Sequence, residues 1–503
     1  MTSDAAPVPT VTADQEGHPP TERALRVAVA TLSVAQLMLL IDATIVNIAL
    51  PSIQASMRMP GPTLEWVVTG YSLPFGGLLL LGGRAGDMLG RRRVFTGGLL
   101  VFTVASLLGG LAPTSWWLLA CRAAQGIGAA AAYPGTLALI TATIPDGPAR
   151  HRALGAFNAI GSAGGAIGFL AGGLITSYLS WRWVMFVNVP IGAFIVLAAP
   201  RVLRETEHHR DRFDLTGAVT VTLGLTFIVY GLITGAASQA GQAHWTDPAV
   251  LASLAGGGAL VAAFVLVERR AAHPLVPLRI FADRSRSGGY VVAILLNTAM
   301  FGILFFMTLF LQRIWHYTPL HTAVVYVPLS GLLVAGAWAS GRLVRRLGVR
   351  SLLVAGLAIS AAGMALLARI GDDGGYVTAM LVPTVLIYSG IGLTTVPLTL
   401  TAVSRVAVAE SGLAAGLFSA ARQVGGATGL AVTGTVTWAA VAAASAYGRR
   451  GAAPLPGLRF TAHALTAGIE RGFAFCAAAT AAAMLIAAVT NPRTAANPAD
   501  RPG

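Results

Sequence analysis

The chain has 503 residues, of which 11% are charged and 55% are hydrophobic, and its mean hydropathy is +0.71. Because about 25% of an ordinary soluble domain is charged, this chain has too little charge to cover a water-soluble surface of its size. The composition excludes a soluble globular protein and predicts an all-α polytopic membrane protein.

All the basic residues, 34 in number, are Arg, and the chain contains no Lys. A phosphate-binding GxxxxGK[ST] loop requires Lys, so an ATP-driven pump in a single chain is excluded. Cys121 and Cys476 lie in apolar stretches without CxxC spacing and predict neither a disulfide framework nor a metal site. The chain has no HExxH or GxSxG motif, and its arginines lie in short loops, so we expect no enzyme activity, no cofactor and no nucleic-acid partner.

Apolar stretches of about 17–25 residues, long enough to cross a bilayer as helices, recur along the chain. We number them spans 1 to 14, and they cover 27–50, 64–83, 95–113, 116–138, 153–176, 183–200, 214–236, 249–267, 288–311, 322–341, 351–369, 377–401, 411–439 and 470–490. The polar first 26 residues lack the apolar run of a cleaved signal and predict a disordered tail.

An even number of spans places both termini on one side of the membrane. With these spans, 24 arginines lie on the side of the termini and eight on the other, while Arg122 and Arg422 lie within spans. Positive charge is enriched in cytoplasmic loops, so the sequence predicts that both termini are cytoplasmic.

Two segments of the chain recur at nearly the same offset. The ten residues from Gly83 align without a gap with the ten from Gly341, and GGAIGFLAGG from Gly164 resembles GGATGLAVTG from Gly425. Such repeats predict two six-helix pseudo-repeat bundles, with spans 7 and 8 as an insertion. The predicted domains are a tail at 1–26, bundles at 27–200 and 288–490, the insertion with its linkers at 201–287, and a second cytoplasmic tail at 491–503.

Four motifs carry a resemblance to a known family. They read DATIVNIALP from Asp42, GGRAGDMLGRRR from Gly82, RAAQGIGAA from Arg122 and SWRWVMFVNVPIG from Ser180. The chain resembles the 14-helix drug:proton antiporters of the major facilitator superfamily. The resemblance implies a major facilitator fold of 14 transmembrane helices that exports a drug or antibiotic across the plasma membrane in exchange for protons, by alternating access.

One motif departs from the family pattern. The family has Gly-Pro in helix 5 where this chain has Gly168 and Phe169, while Gly164, Gly165 and Gly172 are retained. The glycines are implied to allow close helix packing, whereas the kink expected from a proline is in doubt. Uptake of a small nutrient by uniport or symport therefore remains an alternative, and it would survive Asp42→Asn. A membrane enzyme or scaffold is a third function, for which we find no catalytic cluster.

The loop after span 2 is implied by the resemblance to be a cytoplasmic gate. Gly83 and Gly90 permit tight turning, while Asp87, Arg91 and Arg92 can form charge-assisted bonds to neighbouring helix ends. The resemblance implies that this loop holds an outward-facing state and releases in the inward-facing one.

Ionisable groups inside the hydrocarbon are costly and usually functional. The deep ones here are Asp42, Arg122 and Arg422, and the first two share a depth of roughly 10 Å below the outer surface at 1.5 Å per helical residue. We hypothesise that Asp42 carries the exchanged proton and that Arg122 lies opposite it. The structural alternative is that Asp42 caps a helix break and that Arg122 bonds backbone carbonyls.

The other polar residues indicate less about function. Acids at span ends are expected to be interfacial or loop acids, and they are Glu65, Asp214, Glu268, Glu410 and Glu470. Polar and aromatic residues inside spans are candidates for a substrate cavity, and they are Gln36, Asn47, Tyr71, Gln125, Tyr133, Asn158, Asn297, Phe301, Tyr388 and Arg422. With one deep acid and two deep arginines, this set favours a small amphipathic drug or antibiotic as the substrate, with protons and the lipid bilayer as the other partners.

Overall fold

The computed structural model describes residues 22–144, 147–203, 205, 214–236, 244–271, 274–371, 375–406, 410–450 and 457–491. In this part of the chain the regular structure is helical throughout. The helices are α1 (Glu22–Met57), α2 (Gly61–Leu64), α3 (Trp66–Leu89), α4 (Arg91–Gly110), α5 (Ser115–Thr143), α6 (Pro148–Tyr178), α7 (Arg182–Phe186), α8 (Asn188–Val202), α9 (Leu215–Ala236), α10 (Pro248–Arg270), α11 (Arg284–Arg313), α12 (Pro319–Leu347), α13 (Val349–Leu367), α14 (Leu381–Ala402), α15 (Ser411–Arg450) and α16 (Gly457–Thr490). A 3-10 turn at Leu278–Phe281 precedes α11, and a π-helical turn at Tyr376–Met380 precedes α14.

Each of the fourteen predicted spans coincides with a helix or with two helices in series. Within the described residues, 12 such segments are long and apolar enough to cross a membrane. Spans 4 and 5 form α5 and α6, of 29 and 31 residues, which fall outside that set. The all-helical fold is therefore confirmed, while the count of fourteen crossings stays a prediction. A helix pairs its own backbone N–H and C=O groups, for which lipid tails offer no hydrogen-bonding partners.

The helix bounds differ from the prediction at the ends of the chain. Helix α1 begins at Glu22, five residues before the predicted first span, and α16 begins at Gly457, well before the predicted last span. The rest of the two predicted tails, 1–21 and 492–503, lies outside the described residues.

The repeat seen in the sequence appears as two matching helix turns. Gly90 separates α3 from α4 with a φ of 100°, and Gly348, its counterpart in the alignment, separates α12 from α13 with a φ of 79°. Glycine is favoured at both positions because residues with a Cβ rarely adopt this backbone conformation. We call the end of the molecule with these turns the motif face, and the end at which α1 stops the distal face.

The inserted helices lie against a seam between the two bundles. Helix α9 packs against α3 and α15, and α10 packs against α9. At the distal end of this contact the ring of Tyr230 lies 6.5 Å from that of Trp66, and Thr435 donates a hydrogen bond to the carbonyl of Leu232. Helix α9 thus covers the line along which α3 of the first bundle meets α15 of the second.

The bundles are hydrogen-bonded to each other at the distal face. These bonds run from Thr308 to Asn47 (3.4 Å), from Gln312 to the carbonyl of Ile48 (3.0 Å), from Arg313 to Gln54 (2.8 Å) and from the amide of Leu320 to Ser177 (3.0 Å). They hold α1 and α6 of the first bundle against α11 and α12 of the second.

Glycines of α6 allow this helix to lie close to α1. A Cβ added at Gly168 would lie 1.9 Å from Oγ1 of Thr44, and one at Gly172 would lie 2.9 Å from the carbonyl of Ile45. Gly164 also faces α1, whereas a Cβ at Gly165 would meet nothing within 4 Å. Three of the four predicted packing glycines therefore contact α1, and Gly165 does not.

This difference gives a matched pair of variants. We expect Gly168→Ala to lower the stability of the protein by about 1–3 kcal/mol, because the added methyl group overpacks the α1–α6 contact. Gly165→Ala should be neutral or stabilising by up to about 1 kcal/mol, because alanine favours the helix. Thermal unfolding of both variants in detergent measures the difference, and equal midpoints would contradict the packing described here.

Candidate functional site

Asp42 and Arg122 form a buried ion pair. Asp42 lies in α1 and Arg122 in α5, with Nη1 of Arg122 2.7 Å from Oδ2 of Asp42. Asp42 is 0% exposed and Arg122 is 1% exposed. A buried charge of either sign is stable only when it is paired and hydrogen-bonded, so each side chain accounts for the other.

Two amides complete the surroundings of the carboxylate. Asn188, at the start of α8, donates a hydrogen bond of 2.8 Å to Oδ1 of Asp42, and Gln125 donates one of 3.3 Å to the same atom. Gln125 also accepts from Arg122 (2.8 Å) and donates to Ser106 of α4 (2.7 Å). Asp42 therefore accepts hydrogen bonds from three side chains, and its charge is compensated inside the first bundle.

Arg122 contacts α3 as well as α1. Its Nε donates a 2.9 Å hydrogen bond to the carbonyl of Val67, and its guanidinium lies 4.5 Å from the centre of the Tyr71 ring, within the range of a cation–π contact. The two interpretations left open by the sequence are thus combined, since Arg122 pairs with the acid and also bonds a carbonyl. The cluster joins α1, α3, α4, α5 and α8.

Sequence reasoning missed Asn188 and Ser106 as members of this cluster. Asn188 lies inside the motif SWRWVMFVNVPIG, where it is the one amide in an apolar run. A buried amide needs hydrogen-bonding partners, and this requirement was the available signal. Ser106 is one of many small polar residues in the spans and carries no such signal.

The remaining cavity candidates of the first bundle are spread along it. Tyr133 lies edge-on to Phe75, with 5.6 Å between the ring centres. Gln36 is buried, and its Oε1 has no hydrogen-bond partner. Asn47 belongs to the distal seam. The backbone of Asn158 lies in α6, but its side chain is outside the described residues.

In the second bundle no candidate joins an ion pair among the described residues. Asn297 donates to the carbonyl of Ala293 in its own helix, and Phe301 packs where a Cβ of Gly426 would lie. Tyr388 is buried. Arg422 is exposed and lies 5.9 Å from the ring of Phe418.

The predicted gate residues surround an acid that the sequence analysis did not single out. The amide of Arg92 donates a 3.0 Å hydrogen bond to Glu205, which follows α8, and a Cβ at Gly90 would lie 2.6 Å from the same carboxylate. Asp87 pairs with Arg91 at 2.9 Å in its own turn, and its side chain is 54% exposed. The nearest atom to a Cβ at Gly83 would be 3.7 Å away, in Pro134 of α5. These contacts of the gate residues lie within the first bundle and the linker that follows α8.

Phe169 occupies the position where the family pattern has a proline. Its ring stacks on that of Tyr326 in α12, with 4.6 Å between centres and an angle of 20°. Helix α6 is continuous from Pro148 to Tyr178. The phenylalanine thus provides an aromatic contact between the bundles.

Two of the acids at span ends are buried, which the sequence analysis did not predict. Glu65 is 1% exposed and Glu268 is 4% exposed. Glu268 accepts a hydrogen bond from the amide of Val276. Glu65 lies between α2 and α3, and Trp438 of α15 donates to it at 2.7 Å. Helix ends in this protein are covered by neighbouring helices, which the one-dimensional pattern cannot show.

Known proteins resemble this chain along most of its length. It is 42% identical to the puromycin resistance protein pur8 of Streptomyces alboniger, covering 86% of each chain. It is 41% identical to the cephamycin export protein CmcT of Amycolatopsis lactamdurans, over 80% of this chain and 83% of the other. It is 33% identical to a lincomycin resistance protein of Streptomyces lincolnensis, over 81% and 83%.

Solved structures show the same fold at low sequence identity. A bacterial homologue of the human lysosomal transporter Spinster matches with a TM-score of 0.65 and 16% identity, covering 94% of this chain and 98% of the other. The POT family transporter PepTSo matches with a TM-score of 0.66 and 14% identity, covering 93% and 98%. The family model of the Major Facilitator Superfamily matches residues 32–430. The chain therefore belongs to the Major Facilitator Superfamily, in the drug-efflux branch of its antibiotic-exporting relatives.

Proposed function

We propose that the protein exports a drug or antibiotic across the plasma membrane in exchange for protons, by alternating access. The buried Asp42–Arg122 ion pair is the observation that carries this proposal. It is the one ion pair with both side chains buried among the described residues, and it lies in a helix bundle of a membrane transporter. In such a place an ionisable pair is a candidate for moving protons.

The proton acts on the ion pair directly. Protonation of Asp42 removes its negative charge, so Arg122 loses its partner and must find another one. A substrate that reaches Arg122 or its neighbours can fill that role, and its departure lets Asp42 pair again. Proton and substrate then compete for the same cluster, as exchange requires.

The arrangement of contacts supports one state of the proposed cycle. The bundles are hydrogen-bonded at the distal face, while Asp87 at the motif face is exposed and pairs with Arg91 of its own turn. With the motif face assigned to the cytoplasm from the arginine distribution, we infer that this is an inward-facing state. In the opposite state, Asp87, Arg91 and Arg92 would be free to bond helix ends of the second bundle.

The available energy is sufficient. One pH unit provides about 1.4 kcal/mol per proton, and 100 mV provides about 2.3 kcal/mol per charge. Together they support a gradient of roughly several hundredfold for a neutral solute. No nucleotide is needed.

The class of substrate follows from the relatives. Three of them are named for puromycin resistance, cephamycin export and lincomycin resistance. We therefore propose a small amphipathic antibiotic, bound between the bundles by residues of the predicted cavity set. These are Gln36, Asn47, Tyr71, Gln125, Tyr133, Asn158, Asn297, Phe301, Tyr388 and Arg422.

Asp42→Asn tests the coupling. We expect it to reduce proton-driven export at least tenfold, because the amide keeps the size of the side chain but does not titrate. Export of a panel containing puromycin, a cephamycin and lincomycin from energised vesicles measures the effect, with and without a protonophore. Asp247→Asn is the matched control, because Asp247 is an exposed cap of α10 and asparagine caps helices equally well.

Export that is equal in the wild type, in Asp42→Asn and with the protonophore would reject proton coupling. It would then favour transport that does not depend on the proton gradient, such as nutrient uptake by uniport.

Arg122→Gln tests the ion pair itself. Loss of one partner leaves a buried charge uncompensated, so we expect a loss of about 3–5 kcal/mol of stability. The double variant Asp42→Asn, Arg122→Gln should be more stable than Arg122→Gln alone, because both charges are gone. Thermal unfolding of the four proteins in detergent checks this, and additive losses would show that the two side chains do not interact.

A further inference from the structure

Glu65 is a buried acid that the proposed exchange at Asp42 does not use. Its Oε1 accepts the 2.7 Å hydrogen bond from Nε1 of Trp438, and its Oε2 has no hydrogen-bond partner. The side chain is 1% exposed. Asp42, by contrast, is bonded by a cation and two amides.

The carboxyl group of Glu65 lies where the two bundles meet. A Cβ at Gly434 of α15 would lie 2.0 Å from Oε1 and 2.3 Å from Oε2, so the acid rests on bare backbone of the second bundle. One turn later on α15, the ring of Trp438 occupies the space beside Gly61, where a Cβ would lie 2.4 Å from it. Each bundle thus provides a glycine that makes room for a large side chain of the other. This interlocked group of Gly61, Glu65, Gly434 and Trp438 we call the distal latch.

No cation balances Glu65 in the described part of the chain. Ionisable groups on the helices packed around it include the exposed Arg58 just after α1, Asp42 in α1, Tyr71 in α3, Arg122 in α5, Tyr230 in α9, Arg313 in α11 and Arg422 in α15, while the side chains of Arg449 and Arg450 in α15 lie outside the described residues. Asp42 and Arg122 pair with each other, Arg313 bonds Gln54, and Arg422 is twelve residues before Gly434, about 18 Å along the helix. An ionised Glu65 would therefore be an unpaired buried charge, which a folded protein avoids.

We propose that Glu65 is a second proton-binding site, filled when the distal latch closes and emptied when it opens. The inference rests on the alternating opening of the proposed function. When the bundles separate at the distal face, the carboxyl group meets water and can ionise; when they close, it must be neutral to be buried between Gly434 and Trp438. Because the same face supplies and receives this proton, it is not transported, and the number of protons exchanged per substrate is unchanged. Its effect is that acid outside the cell favours closure.

The sign and size of the effect follow from linkage. The closed state binds one proton more than the open state wherever open-state Glu65 is ionised, so the closed-to-open ratio falls tenfold for each unit rise in pH. Asp42 also titrates in the proposed exchange, so its contribution must be removed. The measurement therefore uses full-length protein with Asp42→Asn in lipid nanodiscs.

Spin labels at the distal face report closure. The exposed residues Ser56, at the end of α1, and Val377, before α14, are replaced by cysteine and labelled, with Cys121 and Cys476 changed to alanine. Distances by electron paramagnetic resonance give the closed fraction between pH 5 and 9. We expect a pH-dependent ratio in this protein and a flat one after Glu65→Gln, which keeps an acceptor for Trp438 but cannot titrate.

Trp438→Phe is the matched control for the latch. It removes the donor but leaves the carboxyl group, so the closed fraction can shift while the dependence on pH remains. A slope that survives Glu65→Gln, or that is absent before it, would overturn the proposal. Export that is unchanged by a protonophore would instead overturn proton coupling at Asp42. The failure of this inference and the failure of the proposed function are therefore distinguishable.

If Glu65→Gln itself alters closure, the protonation of Glu65 can be measured directly. The infrared spectrum of the unlabelled wild type at pH 7 should contain the band of a protonated carboxyl group that is missing from Glu65→Gln. Identical spectra in the region of that band would show that Glu65 is ionised in the closed state and would reject the inference.

Discussion

The ion pair between Asp42 and Arg122 constrains the first bundle more than any other contact. Neither charge has access to water, so both must be compensated by hydrogen bonds from the protein. The matching groups come from five helices, and they include Val67, Gln125 and Asn188. Moving any of these helices relative to the others would break hydrogen bonds in a low-dielectric interior. The first bundle is therefore expected to move as a unit, so alternating access would occur between the bundles.

The two bundles share their turns but not their chemistry. Gly90 and Gly348 keep the same left-handed conformation after aligned helices, because the geometry of the repeat requires it. Among the described residues of the second bundle there is no buried counterpart of Asp42, and Asn297 donates to a carbonyl of its own helix. A backbone turn is kept by steric exclusion, whereas a polar cluster is free to diverge. This difference places the proposed proton exchange in one bundle and leaves the other to provide a surface that moves against it.

The sequence predicted the parts of the site that depend on depth along a helix. Asp42 and Arg122 were paired because equal depth in a membrane is a one-dimensional property, and their 2.7 Å contact agrees with that reasoning. Asn188 was missed because its role depends on which way the start of α8 faces. The burial of Glu65 was missed for the same reason, since its neighbour Trp438 is 373 residues away in the sequence. Helix existence follows from composition, but which face of a helix meets which neighbour is decided by packing of the whole chain.

The seam between the bundles must close tightly and still be able to open. Glycine against a large side chain allows close approach at Gly61 and Gly434 without a network of hydrogen bonds, and Gly173 lies as close to Ala323 and to the backbone of α12. Several polar contacts at this seam are single hydrogen bonds, such as the one between Gln54 and Arg313, so water can replace them when the bundles part. Inside the first bundle the opposite holds, because three donors converge on one carboxylate. A strong polar cluster within a bundle and small residues between bundles together give rigid bodies with a separable interface, and a buried acid at that interface makes its separation sensitive to protons.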